Sequence, residues 1–408
     1  MSANLFLDVL GLKEFHLLNI IVEPEENTLE LHIRRQDSFR KCRYCGSTDF
    51  IKRGRFTRRL QALPVGQYQK VFLVVSLHRL ACRCCGRVAV EELPLSEGKR
   101  RYTNAFARYV IGLVQRMTIQ DIAERLGLSW DVIKDIHKRW LQKRSQEVWK
   151  DLGDIRYLAI DEFSIGKGHR YFTVIIDLDR RRPLWIGQGR GEQAVAPFFE
   201  MLKERNIYPL AIAMDMWSAY TQAVMDHFPL AAIVYDRFHI IANANKVLDE
   251  IRRLLRRELG PLGGKHLKGM RWILLKGREK LANDLQAQQR LERLAQYNEP
   301  LYKAYLLKEE LRDLFRCKDP QEASARLDNW IAQAHASGVV PLKRFANTLA
   351  AHRTGILNYF RYRISTGPLE GLNNKIKVLK RKAYGYRDEA YFKLRVLFIH
   401  ETKHVFVG

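Results

Sequence analysis

Nowhere in the 408 residues does an uncharged apolar run approach the roughly 18 residues that a membrane-spanning helix needs. The opening segment, MSANLFLDVLGLKEFHLLN, has acidic residues where a secretory signal carries basic ones. These two absences point to a soluble, cytoplasmic protein. Cysteine is scarce, with six residues, and acids are outnumbered, 45 Asp and Glu against 70 Lys and Arg. A hydrophobic share of 47% and an aromatic share of 11% exclude a wholly disordered or collagen-like chain. The length is too great for one ordinary domain and implies two or three.

The net charge of +25 and a pI near 9.9 imply a polyanionic partner, because clustered Lys and Arg gain affinity by displacing counterions from a phosphate backbone. The alternative is a well-solvated surface, and the distribution of charge argues against it. Ten basic and two acidic residues lie between Arg34 and Arg59, eleven and four between Lys246 and Lys280, and ten and three between Arg361 and Arg395. Aromatics interleave the third cluster (Tyr359, Phe360, Tyr362, Tyr384, Tyr386, Tyr391), where core packing competes with stacking on unpaired bases.

Five of the six cysteines precede residue 86, in two parallel knuckles, Cys42-Arg-Tyr-Cys45-Gly46 and Cys82-Arg-Cys-Cys85-Gly86. Two intervening residues let both thiolates of a knuckle reach one ion, and the glycine relieves crowding as the chain turns beneath it. Cys42, Cys45, Cys82 and Cys85 thus read as one structural zinc site. The 36-residue gap between knuckles is long, and the run Val71–Leu80 reads as a strand that returns the second knuckle to the first. Disulfides and unpaired buried thiols are the competing readings, and Cys84 competes with Cys82 as ligand. Cys317, in a helical stretch, reads as a core residue.

Residues 105 to 145 carry helical periodicity, and Thr118–His137 within them reads as a helix-turn-helix. Thr118 and Ser129 stand where N-caps belong, Ala123 where two helices cross, Gly127 where a left-handed turn is needed, and Ile133 in the core between them. The second helix, from about Trp130, presents Asp131, Lys134, Asp135 and Lys138 outward, with Lys134 and Lys138 best placed for DNA. The same geometry also serves protein contacts.

After residue 154 the pattern turns to strands: Arg156–Phe163, Tyr171–Asp177 and Arg182–Gly187, a helix over Glu192–Glu204, a strand Leu210–Asp215, a helix, and a strand Ala231–Asp236. That order is the one expected of an RNase H-like core. An ionised Asp closing an apolar strand is costly unless it meets a cation or a donor, and Asp161 and Asp215 close two such strands. A third acid, Glu370, lies in Ser365-Thr-Gly-Pro-Leu-Glu-Gly-Leu-Asn-Asn-Lys-Ile-Lys377, where Pro368 suits a first helical turn and Asn373, Asn374 and Lys377 share the Glu370 face. Three such carboxylates can hold two Mg²⁺ ions about 4 Å apart for phosphoryl transfer. Glu162 and Asp177 are rival acids.

With these residues in view, the chain resembles the bacterial insertion-sequence transposases of the ISL-three type over nearly its whole length: zinc knuckles, helix-turn-helix and DDE domain occur in order, and AIDEF, AMDMWSAY and GPLEGLNNKIK resemble the three acidic motifs. The resemblance implies catalytic, Mg²⁺-binding roles for Asp161, Asp215 and Glu370, with Mn²⁺ able to substitute. Asp236-Arg-Phe-His239 is similar to an Asp-x-x-His signature of many DDE enzymes, and places His239 near scissile DNA or in the core. Asn373 and Lys377 are further DNA-contact candidates.

The expected architecture is multidomain α+β: a zinc-binding domain at 1–98, a helix-turn-helix domain at 99–150, an RNase H-like core at 155–242 and 351–408, and an all-helical insertion at 243–350 in which Trp272 and Trp330 read as core residues. The expected activity is that of a DNA transposase that binds the terminal inverted repeats of its element, hydrolyses phosphodiesters and joins the freed 3′-hydroxyl to target DNA. A homodimer or larger synaptic complex, with no membrane partner and a nucleoid-associated location, follows from that activity. A non-enzymatic DNA-binding regulator derived from such an enzyme and an RNase H-like nuclease are the alternatives.

Overall fold

The computed structural model describes residues 3–150, 152–166, 168, 170–260 and 264–401. They fall into two compact units, residues 3–149 with 401, and the described residues of 150–400. Both hold a mixed sheet, and among the described residues no helix is long and apolar enough to cross a membrane.

The first unit begins with a short helix α1 (Ala3–Val9). Strands β1 (Phe15–Glu23), β2 (Thr28–Arg35), β3 (Phe50–Ala62) and β4 (Lys70–Cys82) follow, ordered β1-β2-β4-β3, with β5 (Val88–Val90) also on β4. Alternation in β4 is the organising signal. Val71, Leu73, Val75 and Leu77 point to one face and are buried with Leu29, Leu31 and Ile33 of β2, Leu60 of β3, and Leu7, Leu12 and Phe15. The helices α2 (Asn104–Val114), α3 (Ile119–Leu126) and α4 (Trp130–Lys150) come next. Thr118 and Asp121 form a reciprocal capping box at the start of α3, and Gly127 ends it at φ 62°. Ser129 Oγ accepts from Val132 N at 3.4 Å. Ala123 and Ile133 are buried between the helices with Phe106, Val110, Ile122 and Leu126.

In the second unit the sheet runs β10-β9-β6-β7-β8: β6 (Tyr157–Ser164), β7 (Tyr171–Asp177), β8 (Arg182–Gln188), β9 (Ala211–Met214) and β10 (Ala232–Tyr235). β6, β9 and β10 are mutually parallel; β7 pairs antiparallel with both β6 and β8. The parallel strand β9 is buried at every position, which is why it reads as an unbroken apolar run. Helix α5 (Glu192–Glu204) lies so close to β8 that a Cβ on Gly187 would stand 1.9 Å from the Ala194 carbonyl oxygen. Helices α6 (Ser218–His227) and α7 (Arg237–Glu258) follow β9 and β10. From α7 to Ala351 the described residues are helices and their connections. Helix Arg353–Tyr362 then packs on β10 through Gly355 and through Asn358, whose amide donates to Ile233 O at 2.8 Å, and helix Gly367–Lys382 follows.

Two expectations need correction. β6 does not close at Asp161: its ladder with β7 continues to Ser164↔Tyr171, because a hairpin partner satisfies the backbone of polar residues that an apolar pattern would leave outside. Trp330 is buried, with its indole N–H on Leu307 O at 2.6 Å, but Trp272 is 68% exposed, its ring beside the Arg271 guanidinium rather than in a core.

Candidate functional site

Asp161 and Asp215 come together through strand register. The last β6–β9 pair is Ala159↔Ala213, so Asp161 and Asp215 each lie two residues beyond it, at the same end of the two parallel strands. The β9–β10 register, ending at Met214↔Tyr235, sets Asp236 next in the row, and Asp236 N donates to Met214 O at 2.9 Å. Each of the first two carboxylates is oriented by the backbone after it. Asp161 Oδ1 accepts from Glu162 N at 2.8 Å, and Asp215 Oδ1 from Met216 N at 2.7 Å.

Helix Gly367–Lys382 supplies the other wall. Its start is tied down where Thr366 Oγ1 donates to the buried Asp236 carboxylate at 2.7 Å, and Pro368 occupies the first turn. One turn on, Asn373 Nδ2 donates to Asp161 Oδ2 at 2.9 Å. A cavity of about 770 Å³ opens here, lined by Asp161, Glu162, His239, Glu370, Asn373 and Lys377 among others. Asp215 is joined to it through His239, whose Nδ1 lies 3.3 Å from Asp215 Oδ2. The rival acid Asp177 lies elsewhere. It is fully buried and caps the turn at 179–180, accepting from Asp179 N, Arg180 N and the Arg180 guanidinium.

The electrostatics are those of a cation-seeking site. Burial pushes the Asp161 carboxyl above its ordinary range, against the hydrogen bonds from Glu162 N and Asn373 and the pull of His239, and the Asp215 charge adds to the rise. Glu162 is raised by burial and then by repulsion from Asp161 and Asp215. Burial also pushes Asp215 upward, but the bond and charge of His239 and the Met216 N–H outweigh it and leave the carboxyl below the usual range. The bond to Asp215 raises His239 to about 9, against its own burial, with Asp215, Asp161 and Asp236 contributing further. Among the described residues the one group of three or more His, Cys, Asp or Glu with ligand atoms all within 4.8 Å of one another is elsewhere, in the first unit.

That group is Cys42, Cys45, Cys82 and Cys85. The sulfur pairs Cys42–Cys85 and Cys45–Cys82 are 3.8 and 3.6 Å apart, close to the roughly 3.8 Å edge of a tetrahedron with 2.3 Å metal–sulfur bonds. The knuckles repeat one backbone. Gly46 N donates to Cys42 O and Gly86 N to Cys82 O, while Cys42 N and Cys82 N donate to Ser47 O and Arg87 O. Both glycines have positive φ, 74° and 70°. Cys82 therefore plays the part of Cys42, and Cys84 is exposed outside the group. The backbone N–H groups of Cys85 and Cys84, opposed by burial, hold the Cys82 thiol down to about 6. Cys317 is buried. On α4, Lys134 and Lys138 are half-buried, and Lys134 lies 3.5 Å from Asp131 and 5.0 Å from the Trp130 ring centroid.

The sequence alone did not reveal three cavity features. The Asp236–Thr366 bond joins residues 130 apart, and Arg312 and Arg316 also line the cavity. Their four-residue spacing at the end of a helix was visible, but nothing in it pointed toward acids more than fifty residues away on either side.

Residues 158–396 match a transposase family model, and residues 91–141 match the helix-turn-helix domain of transposase family ISL3. The chain belongs to the ISL3 family of transposases. It is 36% identical, over 91% of its length and 92% of the relative's, to the transposase for insertion sequence element IS1001 of Bordetella parapertussis. It is 29% identical, over 86% and 84%, to the transposase for insertion sequence element IS1557 of Mycobacterium tuberculosis. Among solved structures, the Drosophila P element transposase strand transfer complex aligns at a TM-score of 0.42 with 12% identity, covering 76% of this chain and 95% of that one.

Proposed function

We propose that the chain is a DDE transposase with an RNase H-like core. In this reading it binds the terminal inverted repeats of its insertion sequence, cleaves phosphodiesters there and transfers the freed strand to target DNA. The observation that carries this reading is that Asp161 and Asp215 lie just beyond the last pair of two neighbouring parallel strands, at the same end, and that the helix bearing Glu370 is bonded to Asp161 through Asn373. The sheet order β8-β7-β6-β9-β10, with β7 alone antiparallel to the rest, supports the RNase H-like assignment.

The residues fit a divalent-metal site. Buried, mutually repelling carboxylates with an imidazolium as their nearest cation gain from a dication. Asp161, Asp215 and Glu370 would hold two Mg²⁺, which Mn²⁺ can replace; bound there, the ions supply activation of a hydroxyl nucleophile and stabilisation of the leaving oxygen. The chain's own contribution is orientation. Asn373 and the N–H groups of Glu162 and Met216 fix the carboxylates, Thr366 fixes the start of the Glu370 helix, and His239 with Lys377 offers donors to a phosphate. The four-cysteine group fits one zinc ion by donor chemistry and spacing.

The proposed division of labour is a zinc-binding domain at 1–98, a helix-turn-helix domain at 99–150 reading DNA through Lys134 and Lys138, a catalytic core at 155–242 and 351–408, and a helical insertion at 243–350. Joining two ends implies a dimer or larger synaptic complex acting on the nucleoid. The test uses a supercoiled plasmid carrying the gene with its native flanks, incubated with Mg²⁺ or EDTA and the protein or its Asp215→Asn and Glu370→Gln variants. Boundary cleavage and joining, lost in both variants while they still bind the flanks, are expected. Flank binding with no cutting in Mg²⁺, nor when Mn²⁺ replaces it, would refute the enzyme and leave a DNA-binding regulator.

A further inference from the structure

The cavity has a second wall that the acid motifs do not explain. Arg312 sits in the last turn of helix Glu299–Leu314 and Arg316 four residues on, so both lie on one side of the chain and both line the space that Asp161, Glu162 and Glu370 also line. Phe315 between them is buried against Tyr359 and stacked on Phe360, ring centroids 5.7 and 6.1 Å away, which pins this end of the helix to the unit's core. Arg312 is paired with Glu279 and reaches Glu309 at 3.5 Å; Arg316 meets Asp313 at 2.7 Å and Glu279 at 3.8 Å. One carboxylate, Glu279, is thus shared by both cations. Arg316 keeps 62% of its side chain exposed and Arg312 23%.

The seat of Arg312 is shaped by a missing side chain. A Cβ on Gly277 would stand 1.7 Å from Arg312 Nη1 and 2.4 Å from Cζ. Gly277 itself has φ −75° and ψ 153°, a backbone open to any residue, so what the glycine provides is room for the guanidinium.

We propose that Arg312 and Arg316 form an anion site for a DNA phosphate, gripping the strand to be cut at the mouth of the acidic cavity. The proposal rests on reading that cavity as a phosphodiester-cleaving centre. A phosphate entering a space walled by carboxylates is repelled except where cations face it. Metal ions on the acids meet only some of its oxygens, and a planar five-donor fork matches those that remain. Glu279, held by both arginines without DNA, is the group that a phosphate replaces.

The experiment uses the full chain, Mg²⁺ and the flank-bearing plasmid, with Arg316→Ala, Arg316→Lys, Gly277→Ala and, as the control for the cavity itself, Asp161→Asn. Flank binding in EDTA should stay within about threefold of wild type in every variant, because most phosphate contacts lie elsewhere. Cleavage should fall about tenfold to a hundredfold in Arg316→Ala, the loss of one charge-assisted contact to the reacting strand, and recover in part in Arg316→Lys. Gly277→Ala, which alters no charge and meets only the mobile end of a side chain, should slow cleavage about tenfold at an unchanged melting temperature. A neutral methylphosphonate beside the cleaved bond should slow the wild type and have no further effect on Arg316→Ala. If Asp161→Asn abolishes cutting while Arg316→Ala and Gly277→Ala cut at the wild-type rate, the anion site is refuted and the arginines are salt-bridge struts. If Asp161→Asn cuts normally, the reading of the cavity fails and the anion site falls with it.

Discussion

His239 should titrate far from an ordinary histidine, and the structure says by how much. Its bond to Asp215, opposed by burial and helped by the charges of Asp215, Asp161 and Asp236, carries the imidazolium from 6.5 to about 9. A displacement of that size corresponds to about 3 kcal/mol, which we reduce to about 2 because roughly a third of each side chain meets solvent. The folded value lies above the unfolded one, so the stabilisation is complete below pH 6.5, fades between 6.5 and about 9, and is absent above. Asp215, displaced downward, loses the same single interaction as pH falls through its lowered value, beneath 3.8. The perturbation is His239→Gln, which keeps a donor and removes the charge, with EDTA present throughout. In a unit of this size about 2 kcal/mol amounts to about 4–8 °C in melting temperature. The wild type should melt higher than the variant by that margin at pH 6, and the two should coincide near pH 10. Histidine Cε1–H resonances followed by NMR should give one signal, missing in His239→Gln, with a midpoint near 9. A midpoint at or below 6.5, or a melting gap that does not change with pH, would refute the ion pair.

Other consequences are open to measurement. Cys84→Ser should retain one zinc per chain by metal analysis, whereas Cys82→Ser should lose most of it and expose the ends of β3 and β4 to protease; equal metal content in the two would contradict the ligand assignment. Thr366→Val leaves the Asp236 carboxylate buried without its donor, and should cost about 1–3 kcal/mol in denaturant unfolding, with Thr366→Ser close to wild type; an unchanged Thr366→Val would dissolve the argument. Gly187→Ala drives a Cβ into the Ala194 carbonyl, and a loss of about 1–3 kcal/mol or more is expected, checked by the melting temperature.

Much of this protein was legible in one dimension, where chemistry is local. The repeated Cys-x-x-Cys-Gly, the caps and crossing residue of Thr118–His137, and the apolar runs that became β6 to β10 depend on spacing of a few residues, and the backbone they dictate is the one observed. The acids at 161 and 215 stood out because a charge beside a buried strand needs a partner. Tertiary structure decided what spacing could not. Cys82 rather than Cys84 joins the cluster because it repeats the hydrogen bonds of Cys42 at the end of β4. Glu162 lines the cavity and Asp177 does not, because β6 runs on past β9 while β7 closes into a turn. Trp330 is buried and Trp272 exposed, though both sit in helices between α7 and Ala351, because burial depends on what lies opposite. The same holds for the Asp236–Thr366 bond and for Arg312 and Arg316. The acids across the cavity from those arginines, like Thr366 from Asp236, are distant in sequence, and a side chain's chemistry becomes a site only when parallel register and helix packing have chosen what it faces.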